Sequence, residues 1–301
     1  MAWAAVVRGR LLDTAPPPGS PEWLSRMSAS KVAAVVGLSP YQSRFSLWHQ
    51  MAGLIPQPEQ TAVMSRGHYL EAGVTAWWAD KHPEYDVMRG QSYLHQTRDW
   101  QVAAPDRLLA RTDDAEVTSL LEVKTSADTD SEWGPPGSDQ IPVGYRCQVQ
   151  WQLDTLGLNV AHVAVLLPYL EFREYVIAYD ATEAEYLAAE AQAFMESLPT
   201  GTTPQRPGID DHDATYEAVR RMHPGIDGTD ADVPAVMFHA YADSRYELDA
   251  ITAKHRQAKA ELLDVMGDAR RALVNDLPVL RRQASGRGGV ALHTIKAKES
   301  A

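Results

Sequence analysis

Cysteine is almost absent from this 301-residue chain, with Cys147 the single one. No intrachain disulfide can form, and a cysteine-rich zinc or iron–sulfur site is excluded. A lone thiol suits a reducing compartment, so a cytoplasmic location is expected. Long apolar runs are missing too, since none approaches the roughly 18–20 residues that a membrane span needs. The apolar start Ala2–Val7 is broken by Arg8 and Arg10, which argues against a secretory signal. The ten histidines form no H-x-H or H-E-x-x-H pairing, so zinc is not expected. His68, close to Glu71, reads equally as a helper of a site there or as a surface residue. Ser285–Gly289 is glycine-rich but lacks the flanks of a phosphate-binding loop, and no internal repeat is visible.

Positive charge is also in short supply. The chain carries 28 basic and 40 acidic residues, a net −12. Taken alone this argues against a nucleic-acid partner, because phosphate contact needs Lys and Arg. The distribution is more informative. Residues 1–60 hold 5 basic and 3 acidic residues (+2), residues 61–210 hold 10 and 23 (−13), and residues 211–301 hold 13 and 14 (−1). Carboxylates concentrated in the middle third form either a solvated face or a divalent-metal site.

What is present is enough apolar material for a full core, with 45% hydrophobic and 23% charged residues. Residues 1–20 read as an irregular tail. Ser28 or Ser30 caps a short helix that stops at Gly37, and a second helix covers Ser46–Ala52. Residues 66–82 form a longer helix, with Leu70, Val74, Trp77 and Trp78 as its apolar stripe. Strands follow at 86–95, 100–104, 107–111 and 116–124, then a polar loop at 126–142 and a helix at 143–157. Two further strands at 162–167 and 172–179 precede a helix at 181–198. Residues 199–235 read as a connection. A long amphipathic helix follows, in which Leu248, Ile251, His255, Ala258, Leu262, Val265 and Ala269 alternate at spacings of three and four; it is expected to pack on the core. Val279–Ala297 reads as a hairpin. Residues 270–301 carry seven basic and two acidic residues. Arg281, Arg282, Arg287, Lys296 and Lys298 there form either a DNA-backbone contact or a solvated basic hairpin. The eight tryptophans are expected in the core, although Trp133, in the polar loop, could also stack on a base.

The chemistry concentrates in Ala104-Pro-Asp106 and Leu121-Glu-Val-Lys124. Residues two apart on a strand share a face, so Glu122 and Lys124 point together and away from Leu121 and Val123. Hairpin geometry could set Asp106 beside Glu122. Two carboxylates and an ammonium would suit Mg²⁺, which takes a few carboxylate oxygens and keeps several waters. A surface strand with one salt bridge explains the short pattern equally well. In Gly144–Leu153, helical spacing puts Gln148 on a face with Gln152, where it either holds a water or phosphate oxygen or is simply exposed. Glu71 sits near the apolar stripe of the 66–82 helix, an odd place for an unpartnered carboxylate.

These blocks, in this order, resemble the phage-type recombination exonucleases, meaning the YqaJ-like viral recombinases and the lambda-type alkaline exonucleases of the PD-(D/E)xK nuclease superfamily. The resemblance rests on Trp23–Arg26, Ser28–Tyr41, Leu47-Trp48 with Gly53-Leu54, Arg66-Gly67 with Glu71, Pro105-Asp106, Leu121–Lys124, and Tyr145 with Gln148–Gln150. It implies an α/β fold with a restriction-endonuclease-like core and a central mixed β-sheet flanked by helices; the C-terminal helix-plus-hairpin extension is read from the residues and matches the family poorly. The implied boundaries are a tail at 1–20, a nuclease core at 21–205 and an extension at 206–301. It further implies that Asp106 and Glu122, with the Val123 carbonyl, ligate the metal and that Glu71 is a further ligand. Lys124 and Gln148 would orient the attacking water, with Tyr145 near Lys124, and Arg26 and Ser30 would hold a 5′-phosphate. Three positions depart from the pattern: the segment between Arg26 and Ser30 is short, Ala104 stands where Ser is common, and Arg107 stands where Gly is usual.

The implied function is a Mg²⁺-dependent exonuclease, with Mn²⁺ able to substitute and no iron–sulfur cluster. It would degrade linear double-stranded DNA 5′ to 3′ and leave a 3′ single strand for recombination. The implied partners are DNA ends, a single-strand annealing protein and further copies of the chain in a trimeric ring, with no membrane. The alternatives are an endonuclease of the same fold and a non-catalytic DNA-end-binding or assembly protein on a nuclease-like scaffold. Against the overall negative field, Arg26, Lys31 and Arg44 are expected to draw DNA in.

Overall fold

The computed structural model describes residues 7–295 other than 15, 18, 60, 114–115, 128–131 and 286–288. Trp3, Arg287, Lys296 and Lys298 lie outside the described residues. The chain divides into two compact units, Met1–Gly225 and Ile226–Ala301.

In chain order the first unit runs through β1 (Arg10–Leu11), α1 (Pro21–Leu24), β2 (Met27–Ser28), α2 (Ala29–Val35), α3 (Arg44–Met51) and α4 (Ala62–Lys81). Next come β3 (Tyr85–Arg89), β4 (Tyr93–Leu94), β5 (Gln101–Ala103), β6 (Arg107–Arg111) and β7 (Val117–Thr125). It closes with α5 (Val143–Leu156), β8 (Val160–Leu166), β9 (Phe172–Ala178), α6 (Ala181–Ser197) and α7 (Asp213–Met222). Local chemistry sets several ends. Thr61 caps α4 by accepting the Met64 N–H at 3.2 Å, which starts the helix earlier than its apolar stripe suggests. Asp180 caps α6 through the N–H groups of Thr182 and Glu183. Gly157, at φ 70°, closes α5 in the left-handed conformation that glycine adopts without strain.

Five strands form the main mixed sheet in the order β3-β6-β7-β8-β9. Only β7 and β8 are parallel, and the polar loop followed by α5 is the crossover that parallel neighbours require. The four shortest strands make a second sheet, β1-β4-β5-β2. The strand read at 86–95 is thus split, with β3 in one sheet and β4 in the other, separated at Gly90.

The two faces of the main sheet carry different cores. Leu108, Leu120, Val163 and Val165 pack with Val149, Leu153 and Leu156 of α5. Leu109, Leu121, Val123 and Ala164 pack with Val74 and Trp78 of α4. Alternation along β7 therefore aims Glu122 and Lys124 at α5, and Leu121 and Val123 at α4.

Residues 213–222, within the stretch read as a connection, are a helix. His212 caps α7 by accepting the Ala214 N–H, and the Thr215 hydroxyl donates to Ser43 Oγ at 2.6 Å. Ala218 packs with Phe45 and Ile55. This anchoring places residues 206–225, which composition groups with the extension, in the first unit. Trp133 is buried against Tyr145 and Tyr175, as a loop anchor rather than a base-stacking surface. Trp77 is half-exposed and stacks on Phe172.

The second unit holds α8 (Ala235–Met266) and a three-stranded antiparallel sheet of β10 (Arg271–Val274), β11 (Leu277–Ala284) and β12 (Val290–Thr294). The sequence reading contained β11 and β12 but not β10. Asn275 and Asp276, both at positive φ, make the two-residue turn from β10 into β11. Only Met266 of α8 is buried. Among the described residues, no helix is long and apolar enough to cross a membrane.

Candidate active site

Antiparallel pairing sets Arg107 opposite Leu121, so Asp106, one residue earlier, falls beside Glu122. The Asp106 carboxylate accepts the Val123 N–H at 2.7 Å. Glu122 is 2% exposed. Its Oε1 accepts from Lys124 Nζ and Gln148 Nε2, both at 2.5 Å, and its Oε2 accepts from Gln152 Nε2 at 2.8 Å. Lys124 Nζ also donates to Gln148 Oε1 at 3.1 Å and lies 4.9 Å from the centroid of the Tyr145 ring. The structure therefore brings Asp106, Glu122, Lys124, Gln148 and Tyr145 together on the α5 side of the sheet.

Gln152 belongs to this group and was not among the residues singled out as a site. Its signal was available, because it lies one helical turn beyond Gln148 on the same face. It is fully buried, and its other amide atom, Oε1, has no partner among the described residues.

Glu71 approaches from the other helix, near enough for its charge to help raise the Asp106 carboxyl. It projects from α4 and accepts from Arg107 Nη1 at 2.6 Å. Arg107 is an odd-numbered residue of β6, so it leaves the sheet on the α4 side, away from Glu122. Among the described residues, no group of three or more His, Cys, Asp or Glu side chains gathers closely enough to hold an ion.

The electrostatics follow from burial. Burial, and then the charge of Glu122, push the Asp106 carboxyl up to about 7. Burial pulls the Lys124 ammonium down, but Glu122 and Asp106 outweigh it and the net direction is upward, so Lys124 is charged. Burial and the adjacent Tyr41 hydroxyl push Tyr145 up to about 12. Burial also pushes the Cys147 thiol up to about 11, which rules out a reactive thiolate.

A hard divalent cation fits this donor set. Two carboxylates press on one another in a buried recess, and Mg²⁺ needs only one or two carboxylates because it retains waters. Binding must displace the proton from Asp106. Affinity for Mg²⁺ or Mn²⁺ is therefore expected to rise about tenfold per pH unit up to pH ~7 and then level off, as titration calorimetry on either side of neutrality would show. The metal-free stability contribution of Asp106 has the opposite sign. Its folded value lies above its ordinary value of 3.8, so the contribution is present in acid and is lost as pH rises through about 7.

Ser30, Tyr145 and Gln148 line a cavity of about 720 Å³, together with residues of the 37–41 turn and Trp133. Ser30 is exposed there, with its hydroxyl 3.1 Å from that of Ser28. Arg26 pairs with Glu22 at 2.7 Å, and its Nη1 is buried without a partner among the described residues. Lys31 and Arg44 do not act as surface charges. Lys31 is buried, donates to the carbonyls of Trp23 and Arg26, and is pulled down to about 7 by burial. Arg44 is bound to Glu190 and to the Val35 carbonyl.

Residues 22–159 match the YqaJ-like viral recombinase domain. The match spans 138 of the 301 residues, under half of the chain. It reaches from α1 to the turn after α5 and contains every residue of the constellation, whereas β8, β9, α6 and the second unit lie beyond it. Among solved structures, the chain is similar to the alkaline exonuclease LHK-Exo from Laribacter hongkongensis, also solved in complex with dAMP. Identity is 21%, with 58% of this chain and 88% of that chain covered at a TM-score of 0.45. It is similar as well to a phage-related exonuclease from Haemophilus somnus 129PT, at 12% identity, 56% and 93% coverage and a TM-score of 0.42. No curated protein sequence matches the chain. The matched segment contributes to a mixed sheet flanked by helices, with its carboxylates and lysine on the face that α5 covers.

Proposed function

We propose that the first unit is a Mg²⁺-dependent exonuclease that shortens linear double-stranded DNA from its 5′ ends, leaving 3′ single strands for an annealing partner in recombination. The observation that carries this reading is the buried Asp106–Glu122–Lys124–Gln148 constellation within the segment that matches the YqaJ-like domain. Asp106 and Glu122, with the Val123 carbonyl, would hold the ion. When bound, it lowers the pKa of a coordinated water and polarises a phosphoryl oxygen.

The chain's own groups do the rest. Gln148 bridges Glu122 and Lys124, so it fixes both side chains in one arrangement. Lys124 brings a positive charge to the rim of the carboxylate pair, where it would offset charge growing on the phosphate. Gln152 holds the second oxygen of Glu122 from below. The unpartnered Nη1 of Arg26 and the Ser30 hydroxyl support a role in holding the terminal phosphate, since arginine forks onto phosphate oxygens.

The test is digestion of linear and closed-circular duplexes with Mg²⁺. Linear DNA is expected to disappear while circles persist. Equal cutting of circles would replace the exonuclease with an endonuclease of the same fold. Salt-sensitive binding of DNA ends without cleavage would reduce the protein to an end-binding scaffold.

A further inference from the structure

Arg107 carries an observation that the proposed chemistry does not use. Its Nη1 donates to Glu71 Oε1 and to the main-chain oxygen of Asp106, at 2.6 Å each. One nitrogen therefore bridges two oxygens of the kind that hard cations bind, a carboxylate and a backbone carbonyl. The pair is part-buried, with 16% of the Arg107 side chain and 26% of the Glu71 side chain exposed. Nε and Nη2 of Arg107 have no partner among the described residues, so the guanidinium keeps donors to spare.

Charge and topology agree. Glu71 belongs to α4 and Arg107 leaves β6 on the α4 side, while Asp106 and Glu122 meet on the α5 side. Glu71 would have to abandon a charge-assisted bond to an always-protonated guanidinium before it could serve an ion. The bridge also ties Glu71 to the main chain of Asp106, the residue whose carboxylate flanks Glu122.

We propose that Arg107 is a built-in cation occupying the place of a second metal ion. The site then takes one ion, and Glu71 is a positioning residue that holds Arg107 and, through it, the Asp106 main chain. This rests on the nuclease reading above and deepens it.

The test counts Mn²⁺ on the full chain by the paramagnetic resonance of the free ion, a readout independent of DNA cleavage. One Mn²⁺ per chain is expected for the parent. Glu71→Gln should keep one ion but bind it about 10–100-fold more weakly, the usual cost of removing a group that supports a ligand. Arg107→Gly should gain a second ion, because it frees the Glu71 carboxylate and leaves the Asp106 carbonyl with only the Gly90 N–H, and Arg107→Lys should return to one. Two ions on the parent would overturn the proposal. So would loss of the ion from Glu71→Gln, beyond the roughly 10–100-fold weakening expected when a supporting group is removed. Arg107→Gly remaining at one ion would overturn it as well while leaving the nuclease reading intact. No ion on the parent would sink both readings.

Discussion

Lys124→Ala is expected to lower Mg²⁺-dependent digestion of linear DNA by roughly 10²–10⁴-fold, the usual cost of losing a positioned acid–base or electrostatic group. It also leaves the Glu122 carboxylate, only 2% exposed, without its counter-charge, so a loss of up to about 3–5 kcal/mol is expected, softened by the amide donors of Gln148 and Gln152. Glu122→Gln should be at least as damaging to activity, since it removes a carboxylate from the ion's donor set. Glu122→Ala adds a second penalty. It leaves the Lys124 ammonium in a part-buried recess without its main counter-charge, and breaking a buried pair on one side costs about 3–5 kcal/mol. Digestion rates and urea melts, measured on the same preparations, separate the two effects. Activity that survives both Lys124→Ala and Glu122→Gln would remove this constellation from the chemistry.

Gly90→Ala should be nearly as harmful, although Gly90 bears no functional group. A Cβ built there would lie 1.7 Å from the Pro105 carbonyl oxygen and 3.1 Å from the Asp106 carbonyl carbon. The Gly90 N–H also donates to the Asp106 oxygen at 3.0 Å. Nothing at the contact is flexible, because the obstacle is main chain. Alanine must therefore push the Pro105–Asp106 segment away from β3. Overpacking of this kind costs about 1–3 kcal/mol and occasionally more. Moving Asp106 by ~1 Å relative to Glu122 could itself cost about 10²-fold in rate. A melt shifted by that amount together with a collapse in digestion is the expected outcome. Native stability with full activity would show that the close approach relaxes harmlessly.

Much of this site was legible before any coordinates. The alternation Leu121-Glu122-Val123-Lys124 told which side chains share a face, because a strand's period of two leaves no choice. The spacing in Gly144–Leu153 put Gln148 and Gln152 together for the corresponding helical reason. The ion pair of Glu71 with Arg107 was not legible. The stripe of α4 showed that Glu71 borders an apolar face, but which side of the sheet that face covers is decided by long-range packing of Val74 and Trp78 against Leu109 and Leu121. Arg107 was visible as a departure from a pattern, and only the three-dimensional arrangement shows that it answers the charge of Glu71. For Lys31 and Arg44 the charge was legible, whereas the burial of Lys31 and the pairing of Arg44 with Glu190 were not. α7 was hidden because Pro-, Gly- and Asp-rich flanks dominate its neighbourhood, while its anchors Ser43 and Phe45 lie far away in the chain.

The crossover from β7 through α5 has an evolutionary consequence. Asp106, Glu122, Lys124, Gln148 and Gln152 all come from one uninterrupted stretch, a hairpin followed by a helix that folds back on it. A gene segment encoding β6 to α5 can therefore be exchanged between relatives without separating the acids from the lysine and amides that hold them. The Ser30 wall and the Arg26 corner arrive from a distant part of the chain. Such an exchange would pair an inherited carboxylate–lysine–amide cluster with a different Ser30 and Arg26 wall, so that the two parts can diverge at different rates.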